Sequence, residues 1–592
     1  MKHNIIYSIT LGLFACFCSV ALTACSELDE VPDNRTEIDS PEKVQQLLTS
    51  GYPVMTPAVI CELSSDNIVD NNVVVPATHN DAYDKFHEET YKWQDIKNYS
   101  INSDDTPYQV WEAYYAGISV CNHAIAAMEE MSADPAHDAE LSHPWGEAHV
   151  LRAYLHFVLL NVFAEAYKDD VQSLEDKGIP YVTIPETTVQ VDYSTSEYLH
   201  SVKETYDLIE KDLLEGIGLI NDSKYQVPAY HFNHNAANAF AARFYLFKRD
   251  YEKCIKYADE ALGSSPASVL RKWGAINLNA LASKVNDYNR ETEPCNFLIQ
   301  STYSLLWRVL FTSSRLTVND CKNKTITAEG KTWPAPKAMQ NTLWGKGPNW
   351  SGALPAYSSL GVYVNVAGQD YGGWLFRLYE YFEYTDKIAG IGYVHMLYQP
   401  FTAEETLLCR AEAKLYLGDQ DGAIQDLNYW TNSHLCTDAL TLDNIKSFYN
   451  RKYVVNRCRH SHEWECAEYN DNSAVSSLHP VEMGFENILE GDDLSVLDCI
   501  LHFRRIETIH NGDRWFDIKR YGMEYYHFYR DPNEDDIHVD SLTWNDPRRV
   551  LQLPQNVIDA GYPPNRDHGA SGMPGGSGFQ SKVIDKKPEL FK

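Results

Sequence analysis

The 592-residue sequence predicts a mainly α protein. Long stretches carry apolar residues at three- and four-residue steps, which is the spacing of one face of an α-helix. One such stretch runs from Tyr108 to Met131, and another runs from Glu147 to Tyr167. Two later stretches each contain two such helices joined by a short polar turn. Because short turns join helices that pack side by side, the sequence favours a scaffold of helical hairpins.

The first 24 residues are predicted to be a lipoprotein signal peptide. A basic start at Lys2 precedes an uncharged apolar run from Ile5 to Ala21, which is the layout of a secretory signal. The next four residues, Leu22-Thr23-Ala24-Cys25, resemble the bacterial lipobox, in which the signal is cut before the cysteine and the cysteine is acylated. An ordinary secretory signal with an incidental Cys25 is the alternative. We expect a lipid anchor at Cys25, followed by an extended tether over residues 25–40.

The charge balance argues against a nucleic-acid partner. With 50 Lys and Arg against 83 Asp and Glu, the formal net charge is -33, and a polyanion would be repelled. Neutral partners are compatible with this charge. After Ala21 no segment approaches the roughly 20 apolar residues that span a bilayer. The acyl group is therefore the one membrane attachment that the sequence predicts.

The mature chain is predicted to be one domain over residues 25–592. Residues 41–262 form an N-terminal helical part, and helical periodicity fades in the loop-rich part over 263–400. Residues 401–592 form a C-terminal helical part that ends in a tail rich in proline and glycine. Thirteen cysteines contain no C-x-x-C pair, and Cys254 lies within a helical pattern, so most are predicted to be buried small hydrophobes.

Local signals predict several helix boundaries. Ser40-Pro41 places a capping residue before a proline at the first helical position. Ser194-x-x-Glu197 predicts a capping box that introduces a helix running through Leu219. Thr402-x-x-Glu405 is predicted to cap another helix, and a further helix is expected from 496 to 511.

Two of the predicted hairpins share a pattern. Aligned positions fall 169 residues apart: Ala242, Leu246, Cys254 and Ile255 precede Ala411, Leu415, Ala423 and Ile424. Each pair of helices resembles the tetratricopeptide hairpin, although only fragments of that repeat pattern are present. The alternative is two generic helical hairpins that happen to align. The prediction of a mainly α fold holds in either case.

A run near the C-terminus carries a resemblance to a known family. The sequence Arg514-Trp515-Phe516-Asp517-Ile518-Lys519-Arg520-Tyr521-Gly522, preceded by Asn511-Gly512-Asp513, is similar to a block of the SusD/RagB family. Shorter pieces agree with it in order along the chain: Trp111-Glu112-Ala113-Tyr114-Tyr115 with Asn122, Glu147-Ala148 with Arg152-Ala153, Ala411-Glu412-Ala413 with Leu427-Asn428, and Leu553-Pro554 with Gly561-Tyr562. Phe503-Arg504-Arg505-Ile506-Glu507 departs from the family wording and is predicted to form an arginine–carboxylate lock between helices.

The resemblance implies a lipoprotein at the outer face of the outer membrane. Such proteins lie as a lid on a TonB-dependent, SusC-like β-barrel transporter and capture nutrient, usually an oligosaccharide. The expected function is capture without catalysis. Two alternatives stay open: capture of peptide by the same architecture and, in a different class, a surface glycoside hydrolase.

Flat aromatic side chains are the groups that a glycan binder needs, because they cover the C–H side of a sugar ring. Four of the 13 tryptophans lie within residues 333–374 on glycine-punctuated sequence, where a helix face cannot pack them all. We expect ligand contacts from this region and from an earlier loop. The predicted contact residues are Asp66, Tyr83, Trp93, Trp333, Trp344, Trp350, Tyr357 and Trp374.

The sequence gives little support for catalysis or a metal site. His-Glu-x-x-His, Gly-x-Ser-x-Gly and Walker patterns are absent from it. The cluster Cys458-x-His460-x-His462-x-x-x-Cys466 does not match the usual zinc spacings, and an exported chain favours a disulfide there instead. We predict neither a metal nor a cofactor.

Overall fold

The computed structural model describes residues 38–70, 84–96, 104–186, 191–276, 281–310, 316–318, 347–351, 354–356, 363–366, 369–372, 375–449, 478–529, 537–565 and 582–584. The signal peptide, Cys25 and the Cys458–Cys466 cluster lie outside these ranges. The described chain is mainly α, as predicted. Every helix in it is too short or too polar to span a bilayer.

Helices make up most of the described chain. Their bounds are Pro41–Thr49 (α1), Ala58–Ser64 (α2), Lys85–Tyr91 (α3), Pro107–Met131 (α4), Ser142–Phe163 (α5), Gln172–Glu175 (α6), Val202–Gly216 (α7), His234–Lys248 (α8), Tyr251–Leu262 (α9), Pro266–Val269 (α10), Trp273–Ile276 (α11), Leu281–Tyr288 (α12), Leu306–Leu310 (α13), Leu375–Leu378 (α14), Ala403–Tyr416 (α15), Gln420–Ser433 (α16), Leu442–Phe448 (α17), Gly491–Glu507 (α18), Asp513–Arg520 (α19) and Gln555–Asp559 (α20). The helices predicted around Tyr108–Met131 and Glu147–Tyr167 are α4 and α5, and the helix predicted over 496–511 is α18.

The two aligned hairpins are present and pack against each other. Helices α8 and α9 form the first hairpin, and α15 and α16 form the second. Helix α9 lies against α15, so the hairpins stack directly although residues 263–402 separate them in the sequence. Cys254 and Cys409 are both buried at this contact as free thiols, and the Cys409 thiol also donates to the Glu405 carboxylate at 3.0 Å.

The helix start predicted at Ser194 is wrong. The capping box is formed by Ser201 and Glu204: the Ser201 hydroxyl accepts the Glu204 N–H at 3.2 Å, and the Glu204 carboxylate accepts the Ser201 N–H at 2.8 Å. The helix then spans Val202–Gly216 and ends before a short 3-10 turn. Both serines satisfy the same sequence pattern, but the apolar face that drives burial begins at Val202.

Ten short strands form four small sheets among the described residues. Their bounds are Ile68–Asp70 (β1), Asn296–Thr302 (β2), Leu316–Val318 (β3), Tyr363–Val366 (β4), Gln369–Gly372 (β5), Glu380–Asp386 (β6), Ile391–Thr402 (β7), Tyr525–Tyr529 (β8), Ile537–Leu542 (β9) and Lys582–Ile584 (β10). The strand orders are β1-β3, β10-β9-β8, β2-β7-β6 and β4-β5, and all pairings are antiparallel. The β2-β7-β6 sheet lies in the part of the chain that the sequence predicted to be rich in loops.

The predicted arginine–carboxylate lock is confirmed. Arg504 lies 3.2 Å from Asp517, 3.5 Å from Glu412 and 3.6 Å from Glu405, so it joins α18 to α19 and α15. Arg520 of α19 binds Glu412 as well, at 2.9 Å. All five side chains are buried, and each charge has an opposite charge beside it. The Arg514–Gly522 run is therefore part of the packed interior that fixes the C-terminal helices onto the hairpin stack.

Candidate functional site

The β6-β7 hairpin carries the largest group of exposed aromatic side chains among the described residues. Asp386 shapes its turn, because its carboxylate accepts the N–H groups of Ile388 and Ala389 at 2.8 and 2.9 Å. Gly390 follows with a φ of 68°, a conformation that favours glycine. Ile388 is fully exposed, so the turn projects into solvent.

One side of the hairpin is lined by Tyr303, Tyr379, Tyr381, Tyr393 and His395, which we call the tyrosine face. Their rings are in continuous contact from Tyr303, directly after β2, across β7 and β6 to Tyr379, directly before β6. Ring centroids are 5.2 Å apart for Tyr303–Tyr393, 6.4 Å for Tyr393–His395, 5.7 Å for Tyr381–His395 and 4.9 Å for Tyr379–Tyr381. Cross-strand pairing of Tyr381 with His395 places these side chains on the same side of the sheet.

Hydrogen-bonding groups are interleaved with these rings. Asn289 donates to the Tyr381 hydroxyl at 3.2 Å. A hydrogen bond to Glu383, its cross-strand neighbour, with smaller effects of desolvation and of Tyr303, raises the pKa of Tyr393 to about 12. The Nδ1 atom of His395 is buried and has no hydrogen-bond partner among the described residues.

The opposite side of the hairpin is more apolar. Phe382 and Tyr384 lie side by side on it, with ring centroids 4.7 Å apart, and are 48% and 52% exposed. Gly392 lies across the strand from Tyr384, and a Cβ atom there would come within 2.8 Å of the Phe382 ring. The absence of a side chain at Gly392 thus lets the Phe382 ring lie over the neighbouring strand.

The structure places three of the eight predicted contact residues in the packed interior. Asp66 is buried in ion pairs with Arg514 and Arg505. Trp93 is 2% exposed and stacks on His527 at 4.2 Å, while Trp350 is 6% exposed. Ligand contact by these three residues stays a prediction, and their burial in the packed interior does not favour it. The other five predicted residues, Tyr83, Trp333, Trp344, Tyr357 and Trp374, lie outside the described residues.

The sequence prediction missed the tyrosine face, although a signal was present. Aromatic residues at 379, 381, 382 and 384 precede Gly390, and Tyr393 and His395 follow it at a two-residue step. That pattern is typical of a hairpin with aromatic residues on both faces. The prediction rested instead on the high density of tryptophans in residues 333–374.

The described residues contain no cluster of His, Cys, Asp and Glu that could hold a metal ion. The tyrosine face offers ring surfaces and tyrosine hydroxyls, and the Glu383 carboxylate lies beside the hydroxyl of Tyr393. Within the described part of the chain, its chemistry suits binding of a polar, uncharged ligand.

The protein is a helical protein whose stacked hairpins form a scaffold. A small β-sheet outside this scaffold carries exposed aromatic side chains. Residues 28–246 match the model of the SusD-like family described as starch-binding and associating with the outer membrane. The match covers 219 of the 592 residues. No curated protein matches the sequence.

Solved structures share the fold at low identity. A SusD-like carbohydrate binding protein from Bacteroides vulgatus has a TM-score of 0.53 and 14% identity, over 88% of this chain and 97% of that chain. A protein described as a sugar binding protein, also from Bacteroides vulgatus, has a TM-score of 0.52 and 15% identity, over 89% and 98%. A SusD superfamily protein from Bacteroides thetaiotaomicron has a TM-score of 0.51 and 15% identity, over 89% and 100%.

Proposed function

We propose that this chain binds neutral oligosaccharides on the tyrosine face. The observation that carries the proposal is the continuous row of rings from Tyr303 to Tyr379, with hydrogen-bonding groups between them. Ring faces cover the C–H side of a sugar, and the tyrosine hydroxyls bind its hydroxyls. The similar Bacteroides vulgatus protein described as carbohydrate binding supports the same conclusion.

The energetics favour a weak, reversible site. An aromatic contact contributes roughly 1 kcal/mol beyond buried area, and millimolar affinity corresponds to about 4 kcal/mol, so a few ring contacts give weak binding. Affinity in this range suits a protein that must release its ligand to another molecule. The formal charge of -33 favours uncharged glycans over acidic ones.

The proposal extends to the place where the ligand is captured. Cys25 carries acyl chains in the outer membrane, so that the body of the protein lies at the cell surface. The bound oligosaccharide passes to a TonB-dependent, SusC-like β-barrel transporter. The lipobox and the family description as associating with the outer membrane support this part of the proposal.

Isothermal titration of the purified mature chain against a panel of glycans tests the binding function. We expect neutral oligosaccharides to bind, and acidic polysaccharides to bind more weakly because of repulsion. Glycan concentration should stay constant over hours, because binding leaves the ligand unaltered. Release of reducing ends would favour the hydrolase alternative, and binding of peptide without glycan would favour the peptide alternative.

Radiolabelled palmitate tests the anchor separately. The native chain should incorporate label and be digested by protease added to intact cells, and Cys25→Ala should abolish the label. Co-purification of the native chain with a β-barrel transporter tests the delivery step. Label retained in Cys25→Ala would contradict the anchor, whatever the outcome of the glycan titration.

A further inference from the structure

Strand β6 forms one edge of its sheet. The order β2-β7-β6 gives it a partner on one side, and none of the other described strands pairs with its outer side. In an antiparallel sheet, every second residue of an edge strand directs its N–H and C=O groups away from the sheet. Residues Glu380–Asp386 therefore present a row of backbone donors and acceptors to an added strand.

The sequence of β6 favours pairing. Its seven residues, Glu380-Tyr381-Phe382-Glu383-Tyr384-Thr385-Asp386, are rich in aromatic residues of high strand propensity. The strand lacks lysine and proline, two residues that commonly block exposed edges. A register shift between Tyr384 and Asp386 is confined to the end beside the turn.

Aromatic rings flank this edge on both sides of the sheet. Tyr381 lies on the tyrosine face, and Phe382 and Tyr384 lie about half-exposed on the opposite face. A strand added at about 4.8 Å from β6 would place alternate side chains next to these rings. The edge thus combines unpaired backbone groups with apolar surface for side chains on both faces.

Charge decides which strand fits. Strand β6 carries three carboxylates, Glu380, Glu383 and Asp386. The nearby cations are Arg308, which pairs with Glu380 at 2.8 Å, and Lys387 in the turn, so the edge keeps an excess of one negative charge. A second copy of this chain, paired antiparallel about the centre of β6, would place Glu383 opposite its own counterpart, and two chains of formal charge -33 repel each other. A segment with lysine or arginine at alternate positions would instead meet opposite charge.

We propose that β6 binds an extended, basic peptide segment by strand addition. This site shares Tyr381 and Glu383 with the tyrosine face, but the outer backbone edge of β6 defines it, and the proposal does not rest on glycan binding. Backbone hydrogen bonds supply the affinity, and Glu383 and Asp386 select for basic side chains.

Fluorescence anisotropy with a labelled nine-residue peptide of alternating lysine and valine tests the proposal. We expect saturable binding, at least tenfold weaker for the same peptide with glutamate in place of lysine. Methylation of alternate backbone nitrogens along one edge should abolish binding, because it removes the pairing donors and leaves the charge unchanged. Equal binding of the methylated peptide would overturn the proposal, because it would indicate adsorption by charge alone. Failure of the unmodified peptide to bind would overturn it as well.

The combined variant Phe382→Lys with Tyr384→Lys provides the matched test on the protein, because it leaves the turn at Asp386 and the tyrosine face unchanged. It should weaken binding of the lysine peptide at least tenfold while the melting curve and glycan titration stay as in the native chain. Unchanged peptide affinity in the folded variant would contradict the proposal. A reversible dimer of the native chain in sedimentation equilibrium, abolished by the same variant, would overturn it in favour of a second copy.

Discussion

Arg514 and Asp66 form a two-pronged ion pair between residues 448 positions apart in the sequence. The Arg514 Nε atom lies 2.9 Å from Asp66 Oδ1, and the Nη2 atom lies 2.8 Å from Oδ2. Burial works to raise the pKa of Asp66, but the charges of Arg505 and Arg514 outweigh it and lower that pKa to about 2. The pair joins the segment after α2 to α19, so the N-terminal and C-terminal parts of the chain share one core.

Removing the Asp66 charge should strongly destabilise the fold. Asp66→Asn leaves Arg514 charged and buried, which costs about 3–5 kcal/mol. Urea unfolding at pH 7 measures the loss. The exposed pair Lys446–Asp492, at 3.0 Å, is the control, and Asp492→Asn should cost less than about 1 kcal/mol. Equal losses for the two variants would contradict the structural role of Asp66.

The helix start at Ser201 gives a second test. Ser201→Ala removes the side-chain acceptor for the Glu204 N–H and should cost about 1 kcal/mol of unfolding free energy. Ser194→Ala changes an exposed turn and should stay within about 0.5 kcal/mol of the native chain. Thermal or urea unfolding of both variants makes the comparison, and a larger effect at Ser194 would restore the boundary predicted from the sequence.

Close packing of two helices depends on Gly216. A Cβ atom at Gly216 would overlap the backbone carbonyl oxygen of Gly146 in the neighbouring helix α5, so Gly216→Ala should cost about 1–3 kcal/mol. Gly218 lies two residues further on and has no atom within 4 Å of an added Cβ. Gly218→Ala should therefore be neutral within about 0.5 kcal/mol. Similar unfolding midpoints for both variants would argue against this helix contact.

Stability should depend on pH through Asp105. Burial raises its pKa to about 7, although its carboxylate accepts the Leu305 N–H at 2.7 Å. The folded state therefore keeps the proton above the unfolded pKa of about 4, and ionisation destabilises the fold increasingly from pH 4 to pH 7. The side chain introduced by Asp105→Asn cannot ionise. The free energy of unfolding of this variant, relative to that of the native chain, should therefore rise from pH 4 to pH 7 and level off at higher pH. Urea unfolding at several pH values checks this, and parallel pH curves for the two proteins would refute it.

The fold was predictable where local pattern decides structure. The hairpin pairs and the Ser40 cap followed from apolar spacing and capping residues, and the arginine–carboxylate lock was expected in the stretch that departs from the family wording. The partners of the buried arginines were not predictable. The ion pair of Arg514 with Asp66, for example, joins segments that are distant in the sequence. Sequence spacing carries no information on such a contact.

The candidate site was harder to predict for a different reason. Helix patterns depend on a single buried face, whereas β6 and the outer half of β7 are exposed on both faces and show no simple alternation of apolar and polar residues. Tyrosine also serves equally well in a core and on a surface. Exposure, which separates Tyr303 from the buried Tyr114, emerges only from the packed structure.

The most direct test of the central claim is isothermal titration of a neutral oligosaccharide that binds the native chain into the variant Tyr303→Ala with Tyr393→Ala. Loss of two ring contacts at roughly 1 kcal/mol each predicts affinity weakened about 10- to 30-fold, with an unchanged melting curve. The control Tyr384→Ala, on the opposite side of the hairpin, should bind as the native chain does. Native affinity in the folded double variant would contradict glycan binding on the tyrosine face.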